Sequence, residues 1–194
     1  MQAFHIRRLV PGDSLDELTS MLHRAFSPLG RQGLNCTGVN QSVEMTAQRA
    51  RLGECFVAVC DGCIVGTVTL QEPQRYGECP WYRQSDVASL HQFAVDPSFQ
   101  GTGCGKALLQ FATRWARERH YSQLALDTPA PASHLIQFYL AQGFRIVEQV
   151  QLPGKTYRSS VLSKTIDPAP NSWMPRHYAQ PARHLPLFGA LVQR

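Results

Sequence analysis

The segment QGTGCGK, residues 100–106, places three glycines within five positions. It follows an apolar run, residues 90–95, that is closed by Asp96 and Pro97, and proline cannot donate a ladder hydrogen bond. Beyond the glycines, apolar side chains recur at the spacing of one helix face, at Leu108, Phe111, Ala112 and Trp115. The pattern predicts that the glycines join the end of a strand to the N-terminus of a helix.

A helix N-terminus presents unpaired backbone N–H groups and the positive end of the helix dipole, which favours an anion such as phosphate. Glycine lets the backbone approach that anion closely because it has no Cβ. A tight turn without a ligand would also explain the glycines. Two common phosphate loops do not fit, because Gln100 and Ala107 break the P-loop pattern and Lys106 breaks the dinucleotide fingerprint.

The segment resembles the pyrophosphate loop of the GNAT superfamily of N-acetyltransferases, Q/R-x-x-G-x-G/A, with Gln100, Gly103 and Gly105 at its fixed positions. The resemblance implies that this loop binds the pyrophosphate of acetyl-coenzyme A and that the preceding strand pairs with the pantetheine arm. The backbone of Cys104 is expected to matter more than its sulfur. The implied coenzyme-binding residues are Phe93, Ala94, Val95, Gln100, Gly101, Thr102, Gly103, Cys104, Gly105 and Lys106.

The remaining patterns predict a mixed α/β (α+β) chain with the order βααβββαβαββ. Besides residues 90–95, strands are expected in AFHIRRLV, CFVAV, CIVGTVTL, QLALD, RIVEQV and YRSSVLSKTI. This is the element order of the acyl-CoA N-acyltransferase fold. The resemblance therefore implies a central mixed sheet of about seven strands, flanked by about four helices, over residues 3–166.

Local signals predict where the turns and helix ends fall. Asp61 and Gly62 indicate a two-residue hairpin. Gly143 is predicted to end the last helix in the left-handed conformation, and residues 28–40 are predicted to be a loop. Ser133 is the candidate N-cap of that last helix, and Asp13 or Ser14, and Ser42, are the candidate N-caps of the first two helices.

The implied reaction moves an acetyl group from acetyl-coenzyme A to a primary amine by direct attack, without an acyl-enzyme. The amine must first lose a proton to a base, and the leaving thiolate gains from a proton donor. Tyr139, in FYLAQGF, matches the family tyrosine near the sulfur, although aromatic packing would also explain it. Asp127, at the end of the fifth strand, and His91, on the fourth, are the two candidates for the base. Either could instead be structural.

One family position departs from the expected pattern. Ala132 stands where the family frequently has an asparagine that contacts the pantetheine arm, so that contact is expected either to be lost or to be supplied by Ser133 or His134. Acceptor specificity is expected to come from residues 27–40 and 71–86, but the acceptor and the acyl length are not predicted. A coenzyme A-binding regulatory domain without catalysis is the alternative function.

Composition narrows the remaining classes of protein. The formal net charge is +5, but the positively charged residues are scattered along the chain, so no nucleic-acid partner is expected.

No apolar run is long enough to span a bilayer and no N-terminal targeting pattern is present, so a cytoplasmic location without a membrane partner is expected. Of the six cysteines, Cys60 and Cys63 alone have C-x-x-C spacing. Reduced cysteines and no metal site are therefore expected.

Residues 167–194 form a proline-rich extension beyond the expected acetyltransferase domain, residues 3–166. The prolines exclude a regular helix through most of it. Trp173, Tyr178 and Phe188 make it too apolar for a simple solvated tail. We expect an arm that packs on this domain or on a neighbouring subunit, which leaves a homodimer open.

Overall fold

The computed structural model describes residues 3–74 and 77–167, and its elements follow the predicted order βααβββαβαββ. Within these residues, the helices are α1 (Leu15–Arg31), α2 (Val43–Arg51), α3 (Cys104–Glu118) and α4 (Ser133–Ala141). The strands are β1 (His5–Arg8), β2 (Glu54–Cys60), β3 (Cys63–Gln71), β4 (Val87–Val95), β5 (Gln123–Pro129), β6 (Arg145–Val150) and β7 (Ser159–Thr165). The predicted fold, a mixed sheet of seven strands with four helices, is confirmed.

The sheet is open, with the strand order β1-β2-β3-β4-β5-β7-β6. β4 and β5 are parallel, because α3 crosses over between them, and the other neighbouring strands are antiparallel. The parallel ladder ends at the pair Ser89 and Ala125, although β4 continues to Val95 and β5 to Pro129. The two strands therefore leave a gap in the sheet, and the glycine loop begins where β4 ends.

β4 contains a bulge beside this gap. Thr67 of β3 pairs with Ala94, but Thr69 pairs with His91, so Val68 is opposite both Gln92 and Phe93. Gln92 has a φ of 49°, in the left-handed region that non-glycine residues rarely adopt. The bulge redirects the strand and its side chains at the point where the sheet opens.

Both faces of the sheet are covered, which explains why almost every residue of β2 and β3 is buried. On β2, Val57 and Val59 pack against α1. The alternate residues Phe56, Ala58 and Cys60 belong to the core beneath α3 and α4. Because successive side chains of a strand point to opposite faces of the sheet, one face of β2 packs against α1 and the other against α3 and α4.

Two predicted N-caps are confirmed. The Ser14 Oγ accepts the backbone N–H of Glu17 at 3.1 Å, and the Ser42 Oγ accepts that of Met45 at 3.1 Å. Asp13 is not the cap of α1; its carboxylate instead pairs with Arg7 at 2.6 Å.

α1 extends beyond its predicted end. The prediction of a loop from residue 28 is wrong over residues 28–31, because α1 continues through Pro28 to Arg31. Proline removes one helix hydrogen bond, but the following Leu29 is 5% exposed, and its burial favours one further turn.

The C-terminus of α4 is a Schellman motif, as Gly143 predicted. Gly143 has a φ of 85° and its N–H donates to Leu140, while the N–H of Phe144 donates to Tyr139. The prediction that Ser133 caps this helix is wrong, since Ala132 is the N-cap and Ser133 begins the helix.

The predicted hairpin between β2 and β3 is confirmed, with Asp61 and Gly62 both at positive φ.

Three other predictions concern composition and the chain's end. All six thiols are free, and Cys63 is the exposed one. In the part of the chain that the structure describes, no helix could cross a membrane. The predicted C-terminal extension, residues 167–194, lies outside the described residues apart from Asp167.

Candidate active site

A cavity of about 1040 Å³ occupies the gap between β4 and β5. Both strands, the glycine loop and α4 contribute to its walls, together with the connections that precede α2 and β4. Of the residues singled out from the sequence, the cavity brings together His91, Phe93, Ala94, Val95, Gln100, Gly101, Gly103, Gly105, Lys106, Asp127 and Tyr139. Thr102, Cys104 and Ser133 do not line it.

The glycine loop forms one end of the cavity. Gly101 has a φ of 77° and Gly103 a φ of 93°, and Gly103 is the N-cap of α3. A Cβ built on either glycine meets no protein atom within 4 Å, so open space lies in front of this backbone. The α3 N-terminus and the exposed Lys106 add positive charge there. The loop therefore fits an anionic diphosphate.

The two loop residues outside the cavity have structural contacts. The Thr102 hydroxyl donates to the Phe99 carbonyl at 2.7 Å. Cys104 is fully buried, and burial raises the pKa of its thiol to about 11. Its sulfur therefore belongs to the core, which agrees with the prediction that its backbone matters more.

Tyr139 is both a core residue and a cavity residue. Its ring lies 5.3–6.1 Å from the rings of Phe93, Phe138 and Phe144, and the residue is 6% exposed. No described residue hydrogen-bonds its hydroxyl. Burial, followed by the negative charge of Asp127, raises its pKa well above the usual range. The hydroxyl is therefore protonated at neutral pH and can donate a proton within the cavity.

Asp127 lies on β5 opposite the open edge of β4. The Tyr82 hydroxyl donates to its Oδ1 at 3.1 Å. Tyr82 is 3% exposed, and burial raises the pKa of its phenol. A neutral phenol thus orients the Asp127 carboxylate and leaves it able to accept further protons or hydrogen bonds.

His91 lies on the β4 side of the same cavity. Its Nε2 is 3.0 Å from the Gln74 amide nitrogen and 2.9 Å from the Ser89 Oγ. The Gln74 amide nitrogen can only donate, so Nε2 accepts and the ring proton resides on Nδ1. Burial is the main cause that lowers the pKa of His91 from 6.5 to about 4, and the charge of Arg49 adds to it. The imidazole is therefore neutral at pH 7.

The N-terminal end of α4 contains Ala132, which stands where the family frequently has an asparagine, and the two residues expected to replace that contact. Ser133 is exposed and lies outside the cavity lining, whereas His134 lines the cavity. Of the two expected replacements, His134 is the better placed.

Sequence reasoning missed several functional candidates. Besides Tyr82, the cavity is lined by Arg49 of α2, by Gln92 at the bulge, and by Lys155 and Tyr157 of the β6–β7 connection. Both expected specificity segments contribute cavity-lining residues, which are Cys36, Thr37 and Gly38 from the first and Gln74, Gly77, Glu78, Cys79 and Tyr82 from the second. No motif marks Arg49 or Lys155, because only the folded chain brings α2 and the β6–β7 connection to one cavity.

Comparison with known proteins agrees with this architecture. The acetyltransferase (GNAT) family matches residues 20–144 of the chain. S-(2-succino)cysteine N-acetyltransferase of Bacillus subtilis is 28% identical over 146 residues, which are 71% of this chain and 82% of that protein. Aminoglycoside N(6')-acetyltransferase type 1 of Klebsiella aerogenes is 33% identical over 108 residues, which are 55% of this chain and 69% of that protein.

Solved structures share the fold. The ribosomal-protein-S18-alanine N-acetyltransferase of Escherichia coli superposes with a TM-score of 0.65 at 19% identity, covering 89% of this chain and 99% of that one. A GNAT family acetyltransferase from Elizabethkingia anophelis with acetyl-CoA bound superposes with a TM-score of 0.59 at 20% identity, covering 84% and 97%. Since the family match spans more than half of the chain and includes β4, the glycine loop, β5 and α4, the chain belongs to the acetyltransferase (GNAT) family and is an acyltransferase.

Proposed function

We propose that the protein transfers an acetyl group from acetyl-coenzyme A to a primary amine, by direct attack while both substrates are bound. The observation that supports this most strongly is one continuous cavity, with a diphosphate-compatible loop at one end and Asp127 and Tyr139 further along it. A regulatory domain would need the loop alone. The Asp127–Tyr82 contact and the buried Tyr139 hydroxyl are features that catalysis requires in addition.

The coenzyme would be held by two parts of the chain. Gly101, Gly103 and Lys106 would contact the pyrophosphate, with backbone donors and one positive charge. The β4 edge from residue 90 to Val95, which has no β5 partner, would offer backbone hydrogen bonds to the pantetheine arm. When bound, acetyl-coenzyme A supplies a thioester that an amine can attack.

The residues between β4 and β5 would handle the protons. The Asp127 carboxylate attracts an ammonium group and accepts its proton, directly or through a water molecule. His91, neutral at pH 7, is a second acceptor on the opposite strand. Tyr139 lines the same cavity, keeps its proton at neutral pH and would give it to the leaving thiolate. These roles need no covalent acyl-enzyme.

The relatives do not agree on an acceptor. By their names they act on S-(2-succino)cysteine, on aminoglycosides and on an alanine of a ribosomal protein. The acceptor class must therefore be sought in this cavity.

The direct test is the release of coenzyme A thiol. We expect the purified protein to release thiol from acetyl-coenzyme A at a rate that depends on added primary amines, with an acetylated amine as product. Binding of acetyl-coenzyme A without amine-dependent release of thiol would contradict the proposal and support a regulatory domain.

A further inference from the structure

Arg49 places a positive charge inside the candidate active site. It is partly buried on α2 and lines the cavity. Among the residues that the structure describes, no carboxylate lies within 4.0 Å of its guanidinium. Removing a charge from water is costly unless another charge pairs with it, so such a group is poised for an anion from outside the protein.

A buried chain of hydrogen bonds orients this guanidinium. Its Nη1 donates to the Gln41 Oε1 at 2.7 Å, and the Gln41 amide nitrogen donates to the Thr46 Oγ1 at 2.7 Å and to the Gln92 Oε1 at 3.2 Å. Gln41 is 5% exposed and Thr46 fully buried. A guanidinium has five N–H donors, so most of those on Arg49 stay free to face a planar anion.

A second cation reaches the cavity from the β6–β7 connection. The Lys155 Nζ donates to the Asn35 carbonyl at 3.0 Å and to the Thr37 Oγ1 at 2.9 Å. The pKa of Lys155 is lowered, mainly by burial; the charge of Arg49 adds to this shift, whereas Cys36 and Asp127 oppose it. The two cations are therefore close enough to repel, and an anion between them would relieve that repulsion.

The charges along the cavity differ from one end to the other. Its ionised lining residues are Arg49, Glu78, Lys106, Asp127 and Lys155. Lys106 belongs to the glycine loop, whereas Arg49 reaches the middle of β4 through Gln41 and Gln92. At ~3.3 Å per residue, Gln92 lies roughly 10 Å before the end of β4. Arg49 is therefore separate from the diphosphate end.

We propose that Arg49, assisted by Lys155, binds a carboxylate of the acceptor, so that the acceptor is an amino acid or another amine that carries an acidic group. Asp127 then receives the ammonium group of the same molecule. A zwitterion matches a site in which Asp127 forms no ion pair with either cation among the described residues, whereas a polycationic amine would meet repulsion from both cations. This inference rests on the proposed acetyltransferase function and specifies its substrate class.

The experiment compares acids with their neutral analogues. Thiol release from acetyl-coenzyme A is measured with the common L-amino acids, with the carboxamide of each, and with a polyamine and an aminoglycoside. We expect at least one amino acid to have a kcat/KM that is 10-fold or more above that of its carboxamide. Arg49→Gln should raise KM for that acid by about 10- to 100-fold, with kcat little changed and the carboxamide unaffected.

Two further variants control for folding and for general charge. Arg51→Gln removes an exposed arginine from the same helix and should leave all rates unchanged. Arg49→Lys keeps the charge but not the planar fork, so it should restore part of the loss. Acetyl-coenzyme A binding to Arg49→Gln, measured by calorimetry, should equal that of the wild type and thereby show a folded coenzyme site.

Each contrary result has a distinct meaning. Preference for the polyamine or the aminoglycoside, or turnover of no amino acid, would overturn the proposed acceptor class while leaving acetyl transfer in place. An equal loss for acid and carboxamide in Arg49→Gln would overturn the role of Arg49. Failure to bind acetyl-coenzyme A or to release thiol with any amine would instead overturn the proposed function itself.

Discussion

Single side chains in the cavity combine packing with chemistry. Tyr139 contributes its ring to an aromatic cluster and its hydroxyl to the cavity. Asp127 is oriented by Tyr82, and His91 by Gln74 and Ser89. Because each role depends on one polar group on an otherwise packed side chain, isosteric substitutions can separate the roles.

Tyr139→Phe should lower turnover by roughly 100-fold, the usual size of an acid–base contribution, while leaving acetyl-coenzyme A affinity nearly constant. The melting temperature should change little, because no described residue hydrogen-bonds the hydroxyl that is removed. Turnover, coenzyme affinity and melting temperature are measured together. Tyr121→Phe, on a residue outside the cavity lining, serves as the control. Full activity with a lowered melting temperature would assign Tyr139 to packing alone.

His91 should make the fold sensitive to acid. Its folded pKa of about 4 lies below the ordinary 6.5, so between these values the unfolded chain binds a proton that the folded chain does not. Stability should therefore fall as the pH falls through this window, by about 2 kcal/mol at pH 5 relative to pH 7 from this residue. Denaturant unfolding at both pH values should show a smaller decrease in His91→Gln. Equal decreases in the two proteins would contradict the lowered pKa.

At the scale of elements, β4 determines where the site lies. It pairs with β5 only as far as Ser89, bulges at Gln92, and ends at the glycine loop. The opening between the strands, the bulge and the proposed anion site thus follow one another along the nine residues of β4 and the loop after it. α2 and α4 then bring Arg49 and Tyr139 to the same opening.

Gly103→Val should abolish stabilisation by acetyl-coenzyme A. A branched side chain at a φ of 93° is strained and occupies the open space in front of the loop. At a ligand concentration of 100 times Kd the wild type should gain about 2.7 kcal/mol, and this variant little or nothing.

Gly33→Val is the matched control for that variant. Gly33 has a φ of 78°, has open space around its Cβ position and does not line the cavity. It should lose comparable stability from backbone strain yet keep the ligand-induced shift. A full ligand-induced shift in Gly103→Val would disprove the assignment of the loop to the pyrophosphate.

At the scale of the whole molecule, helices of the described domain cover both faces of its sheet. α1 packs on one face, and α3 and α4 pack on the other. The chain nonetheless continues with residues 168–194, whose prolines and aromatic side chains led us to predict a packed arm. Whether that arm packs on its own domain or on a second copy determines the assembly.

Ending the chain after Asp167 should lower the melting temperature, because the arm's apolar surface would no longer be buried. If the arm packs on a neighbouring subunit, the shortened chain should also show a smaller mass in light scattering. An unchanged mass and melting temperature would refute the packed arm.

Predictions succeeded where a local pattern had a local cause. Ser14, Ser42 and Gly143 make hydrogen bonds within one helix turn of their own positions. The spacing of apolar residues likewise predicted strands and helices that the structure confirms. Errors occurred where burial outweighed a local signal, as when α1 continued past Pro28. His91, Asp127 and Tyr139 do line one cavity, as the family resemblance implied, while their chemical roles remain predictions.

What the sequence determined by itself was the fold, through element order, and one end of the site, through the glycine loop. Only the tertiary structure decided the other end. Tyr82 meets Asp127 across 45 positions, and Lys155 meets Asn35 across 120, so no local pattern records either contact. That Arg49 forms no ion pair with a described residue is likewise visible only in the folded chain, because desolvation and pairing depend on the whole surroundings of a group.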